Sequence, residues 1–249
     1  MNMDDLADKL RSQEIYQSQR FLPGAWVILR VDGRGFSGLT EAHYTKPFDD
    51  RFRDHMHAAA TALMEDMQGA LAYVQSDEIS VLLPPDWDLF DRRQEKAVSL
   101  AAAIAAAHFS LAAGRAVQFD GRAWVGCRAD DVADYFCWRQ ADATRCALST
   151  SAYWALRNEG QTVRQATRAL EGATVTQKNE LLFERGVNFN ELPVWQRRGA
   201  VIAWETYEKE GFNPKTNEAV TTSRRRLATD WDIPMKDAFG EYIRARLPA

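Results

Sequence analysis

The stretch Ala25 to Asp32, AWVILRVD, is a nearly continuous apolar run rich in β-branched residues that ends at glycines. That pattern predicts a buried strand. A polar loop runs from there through Pro47. In DDRFRDHMHAAATALMEDMQ the apolar positions Phe52, Met56, Ala59, Ala60, Leu63, Met64 and Met67 fall at helical spacing, with Asp49 or Asp50 suited to cap the helix. Residues 70–83 read as a hairpin in which Ile79, Val81 and Leu83 share one face, and its turn carries Ser76, Asp77 and Glu78. A second helix is predicted from about Arg92 to Leu111, followed by a strand over Ala116 to Gly126. The order βαββαβ predicts an α+β fold of the split-βαβ, ferredoxin-like kind, which is also the core of polymerase and nucleotide-cyclase palms. From about Asp130 the chain reads as mainly helical with an extra hairpin. The expected division is a palm over residues 1–129 and a C-terminal region over 130–249 packed on it, an alternative being one domain.

Composition narrows the classes. At 249 residues with 46% hydrophobic and 27% charged residues, the chain has enough apolar surface for a large core. Cys127, Cys137 and Cys146 are odd in number and lack paired spacing, which argues against a disulfide framework or a zinc site and points to the cytoplasm. His55 and His57 lie on different faces of their helix, unlike a metal-binding pair, and read as surface or boundary residues. The N-terminus is acidic and amphipathic, without the pattern of a targeting signal. AVSLAAAIAAAHFSLAAG is interrupted by Ser99, His108 and Ser110 and reads as a packed helix, so no membrane is expected as a partner. A net charge of −4 means that any nucleic-acid contact must use local basic patches.

The hairpin turn raises the chemical question. Ser-Asp-Glu lacks the backbone advantage of Asn-Gly or Asp-Gly in a tight turn, so its acids are candidates for charge-based roles. In the βαββαβ arrangement the first strand lies beside the hairpin, which brings Asp32 at its end toward Asp77. Two carboxylates so placed suit Mg²⁺, a hard ion commonly bound by one or two carboxylates together with substrate phosphates. GRGFSG (Gly33 to Gly38) matches a dinucleotide fingerprint. That motif requires a helix to open within it, and LTEAHYTKPFDD shows no helical apolar periodicity. The glycines retain the ability to let backbone N–H groups approach a triphosphate.

At RVDGRGF, KPFDDR, QSDE, WRQAD and QKNELLFERGVNFNELPVWQRRG, the sequence resembles the tRNA-histidine guanylyltransferase family, and most closely its bacterial guanylyltransferase-like members. The resemblance spans roughly Val27 to Trp204. It implies a polymerase-like palm that adds nucleotides to the 5′ end of tRNA in the 3′-to-5′ direction. A nucleoside triphosphate, ATP or GTP, first activates the 5′-monophosphate, and the 3′-hydroxyl of an incoming nucleotide then attacks. By the same resemblance, Asp32, the carbonyl of Gly33, and Asp77 bind two Mg²⁺ ions, and Glu78 supports them without ligating. Arg34, Gly35, Phe36 and Ser37 lie along a bound nucleotide, Ser76 sits beside its base or sugar, and Lys46 and Lys178 meet its phosphates. A homotetramer is implied.

Some readings stay open at this stage. Asn190 and Glu191 are read as a capping turn or as site residues, with the turn preferred. Trp138 is read as core packing, while Arg139 and Gln140 either face the site or form a polar network. After WRQAD, eukaryotic members carry H-I-N-N-L-Y-N where this chain reads ATRCALSTSAYW. The loss of that His and both early Asn favours templated repair of truncated tRNA over strict guanine addition. The alternatives are a palm-fold nucleotide cyclase or other small-molecule nucleotidyltransferase and a non-catalytic RNA-binding module. Arg224, Arg225 and Arg226 are the densest basic run and the candidate RNA contact; their bland reading is a solvated basic turn.

Overall fold

A computed structural model describes residues 2–213 and 218–248. A six-stranded antiparallel sheet forms its centre, in the order β4-β1-β3-β2-β5-β6. The strands are β1 (Trp26–Gly33), β2 (Leu71–Gln75), β3 (Glu78–Leu83), β4 (Phe119–Gly126), β5 (Ala200–Asn213) and β6 (Glu218–Asp230). The hairpin of β2 and β3 turns on two residues, Ser76 and Asp77, because Gln75 pairs directly with Glu78.

Alternation along the strands supplies both faces with apolar residues. Val27, Leu29 and Val31 of β1 and Ile79, Val81 and Leu83 of β3 meet α3 (Asp50–Asp66) and α4 (Gln94–Ala113). Trp26, Ile28, Leu71, Tyr73 and Leu82 point the other way, onto α5 (Ala129–Asn158) and α9 (Asp237–Arg244). Helix α3 starts where Asp49 accepts a hydrogen bond from the Arg51 amide. By length and composition α4 is apolar enough to cross a membrane, but its Ala97, Ala101, Ala105 and Phe109 are buried against this sheet layer.

The C-terminal region is more than a helical addition. Residues 71–74 of β2 pair with 200–203 of β5, so the β5–β6 hairpin extends the same sheet. Helices α6 (Val163–Leu170), α7 (Val175–Phe183) and α8 (Val194–Arg198) pack on α5. A short N-terminal helix, α1 (Met3–Arg11), buries no residue.

The glycine-rich segment departs from its expected loop. Helix α2 (Phe36–His43) opens inside it, with Gly35 at φ 74° turning the chain from strand to helix. Two turns give only Phe36 and Thr40 as buried positions, an i, i+4 pair too short to register as periodicity. The antiparallel sheet nevertheless excludes the parallel dinucleotide-binding arrangement that the same glycines suggest.

Candidate active site

The turn acid and the strand-end acid do meet. Asp32 pairs in register with Glu78 on one side and with Asp120 on the other, and the Gly33 amide donates to the Asp77 carbonyl at 3.1 Å. Ser76 holds φ 52°, a conformation that costs a residue with a Cβ on the order of 1 kcal/mol. A Cβ on Gly33 would collide with the Phe36 ring, so this close approach of strand to helix requires glycine.

Electrostatics set the two acids apart from ordinary surface carboxylates. Burial, reinforced by the negative charge of Asp32, pushes Asp77 up to about 6. Burial and then Asp120 also raise Asp32, against the pull of Arg122, Arg30 and Arg139. Among the described residues neither acid has an ion-pair partner. Two adjacent carboxylates without a neutralising cation are a donor set that fits a hard divalent ion. No group of three or more His, Cys, Asp and Glu side chains converges among the described residues, so carbonyl, phosphate or water oxygens must complete any coordination.

Glu78, opposite Asp32 on the same face of the sheet, is already neutralised by arginines. Its two oxygens accept from Arg139 Nε at 2.8 Å and Nη2 at 2.6 Å, and Arg30 lies 3.8 Å away. Arg139 also reaches Asp142 at 3.3 Å, and Gln140 donates to the Pro234 carbonyl at 2.8 Å. Arg139 therefore ties α5 to β3, and Gln140 ties it to the segment between β6 and α9. Trp138, expected in the core, is 56% exposed; its ring faces outward and carries the Arg139 guanidinium at 4.7 Å. Asp120, paired with Arg122 at 2.9 Å, escaped the sequence reading because only the β1–β4 register places it beside Asp32.

A cavity of about 810 Å³ adjoins the acids. Ser37, Lys46, Ser76, Asp77 and Lys178 line it, as does Phe36, whose ring itself is buried among Phe52, Phe109 and Phe119. Asp32, Gly33, Arg34 and Gly35 form the strand-to-helix connection outside that lining, and Arg34 is exposed. Lys46 donates to Thr40 Oγ1, and burial lowers its pKa against the opposing charges of Glu41 and Asp77. Lys178 donates to Ser149 Oγ at 3.0 Å. Asn190 and Glu191 lie in a short turn organised by Asn188, which caps the Asn190 amide and reaches Glu191 at 2.9 Å. His55 and His57 are half-buried and have separate partners, the one bonded to Tyr44 and the other to Thr229.

Sequence reasoning missed an aromatic wall of this cavity: Trp154 from α5, Trp195 from α8 and Trp231 after β6. Arg53 of α3 lies between two of these rings, 5.0 Å from Trp195 and 5.3 Å from Trp231. No signal in the separate segments brings those positions together. Arg224, Arg225 and Arg226 sit on exposed strand β6 and not in a turn. Strand alternation puts Arg224 and Arg226 on one face with Tyr207 and Arg225 on the other, over Trp204 at 4.9 Å.

Two family models match the chain, "tRNAHis guanylyltransferase" over residues 7–128 and "Thg1 C terminal domain" over residues 130–233. A probable tRNA(His) guanylyltransferase of Dictyostelium discoideum is 31% identical over 240 residues, covering 91% of this chain and 92% of that protein. Its counterpart in Drosophila melanogaster is 34% identical over 198 residues, 75% of this chain and 69% of the relative. A bacterial tRNA(His) guanylyltransferase-like protein solved in complex with ATP superposes with a TM-score of 0.77 at 29% identity, covering 97% of this chain and 98% of the other. The complex of such a bacterial protein with GTP gives 0.76 at 28% identity and the same coverage.

Proposed function

The chain belongs to the tRNA(His) guanylyltransferase family, nucleotidyltransferases acting on tRNA, and from that premise we propose that it performs template-dependent 3′-to-5′ nucleotide addition on a ferredoxin-like, polymerase-type palm. The strand order β4-β1-β3-β2 over residues 26–126 supports the palm, with residues 130–249 read as the region packed on and extending it. The observation that carries the activity is the unpaired carboxylate couple Asp32 and Asp77 beside a cavity that holds Lys46, a cation without a carboxylate partner among the described residues.

Asp32, Asp77 and the Gly33 carbonyl would hold two Mg²⁺ ions. When bound, Mg²⁺ supplies charge neutralisation for phosphate oxygens and lowers the pKa of an attacking hydroxyl. The chain's own groups do the rest. Lys46 and Lys178 bind and orient the triphosphate, Ser37 and Ser76 offer hydroxyls along the nucleotide, and Glu78, clamped by Arg139, fixes the turn that carries Asp77. In the first step a 5′-phosphate oxygen attacks the α-phosphate of ATP or GTP and pyrophosphate leaves. In the second, the 3′-hydroxyl of the incoming nucleotide attacks the activated phosphate and the nucleoside monophosphate leaves.

Cys146, Ser149 and Thr150 line the α5 side of the cavity in the segment that departs from H-I-N-N-L-Y-N. These small side chains favour choice of the incoming base by the opposing tRNA strand. Arg224 and Arg226 on β6 are the proposed phosphate contacts, with Arg225 on the reverse face, and assembly as a homotetramer belongs to the same reading. The test uses 5′-monophosphorylated tRNAs truncated by one nucleotide, with the opposing 3′-strand base varied. Addition of the complementary nucleotide in each case is expected. Guanosine addition whatever the template would restore strict guanylylation, and no addition with any of them would overturn the activity.

A further inference from the structure

Lys46 sits on the loop between α2 and α3, with a four-carbon stem that must be immobilised before its charge can orient a triphosphate. Among the described residues it contacts no carboxylate. Two groups hold it: Thr40 Oγ1, which accepts from the ammonium, and the Trp154 ring, whose centroid is 5.6 Å from Nζ. Thr40 is itself committed, since its hydroxyl donates to the Phe36 carbonyl at 2.8 Å. Trp154 is equally fixed. The Arg157 guanidinium lies 5.6 Å from the same ring and is anchored by Tyr153 Oη at 3.0 Å and by Glu41 at 3.6 Å.

We propose that Trp154 is a positioning residue that holds Lys46 for the nucleotide's phosphates; this rests on the reading of the cavity as a nucleoside triphosphate site. An indole suits this task better than a carboxylate would. A carboxylate at that place would fix the lysine and also neutralise it, whereas the ring quadrupole fixes the cation and leaves its charge free for an anion. Arg157 lies outside the cavity lining and braces Trp154 without competing for the ligand, while Glu41, which lines the cavity, is paired with Arg157 instead of with Lys46. The arrangement also accounts for a half-buried tryptophan at a cavity wall to which α5 otherwise contributes Cys146, Ala147, Ser149, Thr150 and Tyr153.

The test measures binding of ATP, inorganic tripolyphosphate and adenosine by calorimetry to the wild type, Trp154→Leu, Trp154→Phe, Lys46→Ala and the Lys46→Ala, Trp154→Leu double variant. Trp154→Leu is expected to weaken ATP and tripolyphosphate by about 5- to 30-fold, the size of a partly desolvated cation–π contact, and adenosine by less than about 2-fold. Trp154→Phe should recover most of that loss. In the Lys46→Ala background, Trp154→Leu should add less than about 2-fold, because its effect runs through the missing ammonium. Equal weakening of adenosine and tripolyphosphate, or a Trp154→Leu effect that persists without Lys46, would overturn the proposal and leave Trp154 as a packing residue. If Trp154→Leu does not fold, Trp154→Phe decides: about 2- to 3-fold loss for tripolyphosphate with none for adenosine supports the role, and equal or no losses reject it. A wild type that binds neither ATP nor tripolyphosphate would reject the nucleotide cavity as well.

Discussion

Replacing Asp77 by Asn should make the metal-free protein more stable at neutral and alkaline pH while destroying its chemistry. Asp77 is a half-buried carboxyl raised from 3.8 to about 6, so the folded state holds a proton more tightly than the unfolded chain does. A raised carboxyl favours folding below pH 3.8, and that contribution is lost as pH rises through about 6. At pH 8 the full penalty is present, on the order of 3 kcal/mol at 1.4 kcal/mol per tenfold change in proton affinity. Roughly half of it develops between pH 5 and 7. Asn is nearly isosteric and carries no charge to desolvate. The assay is urea denaturation of both proteins at pH 5, 6, 7 and 8 in a chelating buffer. The variant is expected to gain about 2–3 kcal/mol at pH 8 and distinctly less at pH 5, with a flatter dependence on pH. Added Mg²⁺ should stabilise the wild type and not the variant, since only the carboxylate pair binds it. A variant no more stable than the wild type at pH 8 without metal would refute the argument that Asp77 is a desolvated, uncompensated charge.

Other consequences follow from the same geometry. Arg139→Ala strands Glu78 beside Arg30 alone and should cost about 3 kcal/mol in urea denaturation, whereas Arg139→Lys, unable to make the bidentate contact, should recover part of it. Arg92 donates to the carbonyls of Leu22 and Ala25 at 2.9 Å and of Pro85 at 3.1 Å; Arg92→Ala removes these bonds and should lower stability by about 3 kcal/mol with nucleotide binding intact. Because Arg224 and Arg226 share a face, their double alanine variant should reduce the slope of log K for tRNA against log salt by about 0.7–0.9 per lost contact. Arg225→Ala should leave that slope within error, and an unchanged slope in the double variant would move the RNA-docking face elsewhere.

Local pattern was enough to determine β1, the β2–β3 hairpin, α3, α4 and β4, because each is long enough for its apolar period to be read within one segment. Those elements in that order already imply that Asp32 and Asp77 converge. Helix α2 was illegible because two turns bury only Phe36 and Thr40, and its start depends on the left-handed Gly35 and on room beside Gly33 for the Phe36 ring. Trp138 looked like core because residue type alone suggests burial; the rotation of α5 on the sheet, set by Val132, Tyr135 and Phe136, turns it outward. The remainder of the site depends on contacts between distant segments. Asp120 reaches Asp32 only through the β1–β4 register, Glu78 is silenced by an arginine 61 residues later, and Trp154 meets Lys46 only where α5 crosses the α2–α3 loop. Sequence periodicity reports which face of an element is apolar, but it carries no record of which other element will cover that face. The carboxylates were therefore readable from the chain, while the groups that set their charge and hold their neighbours were decided by packing.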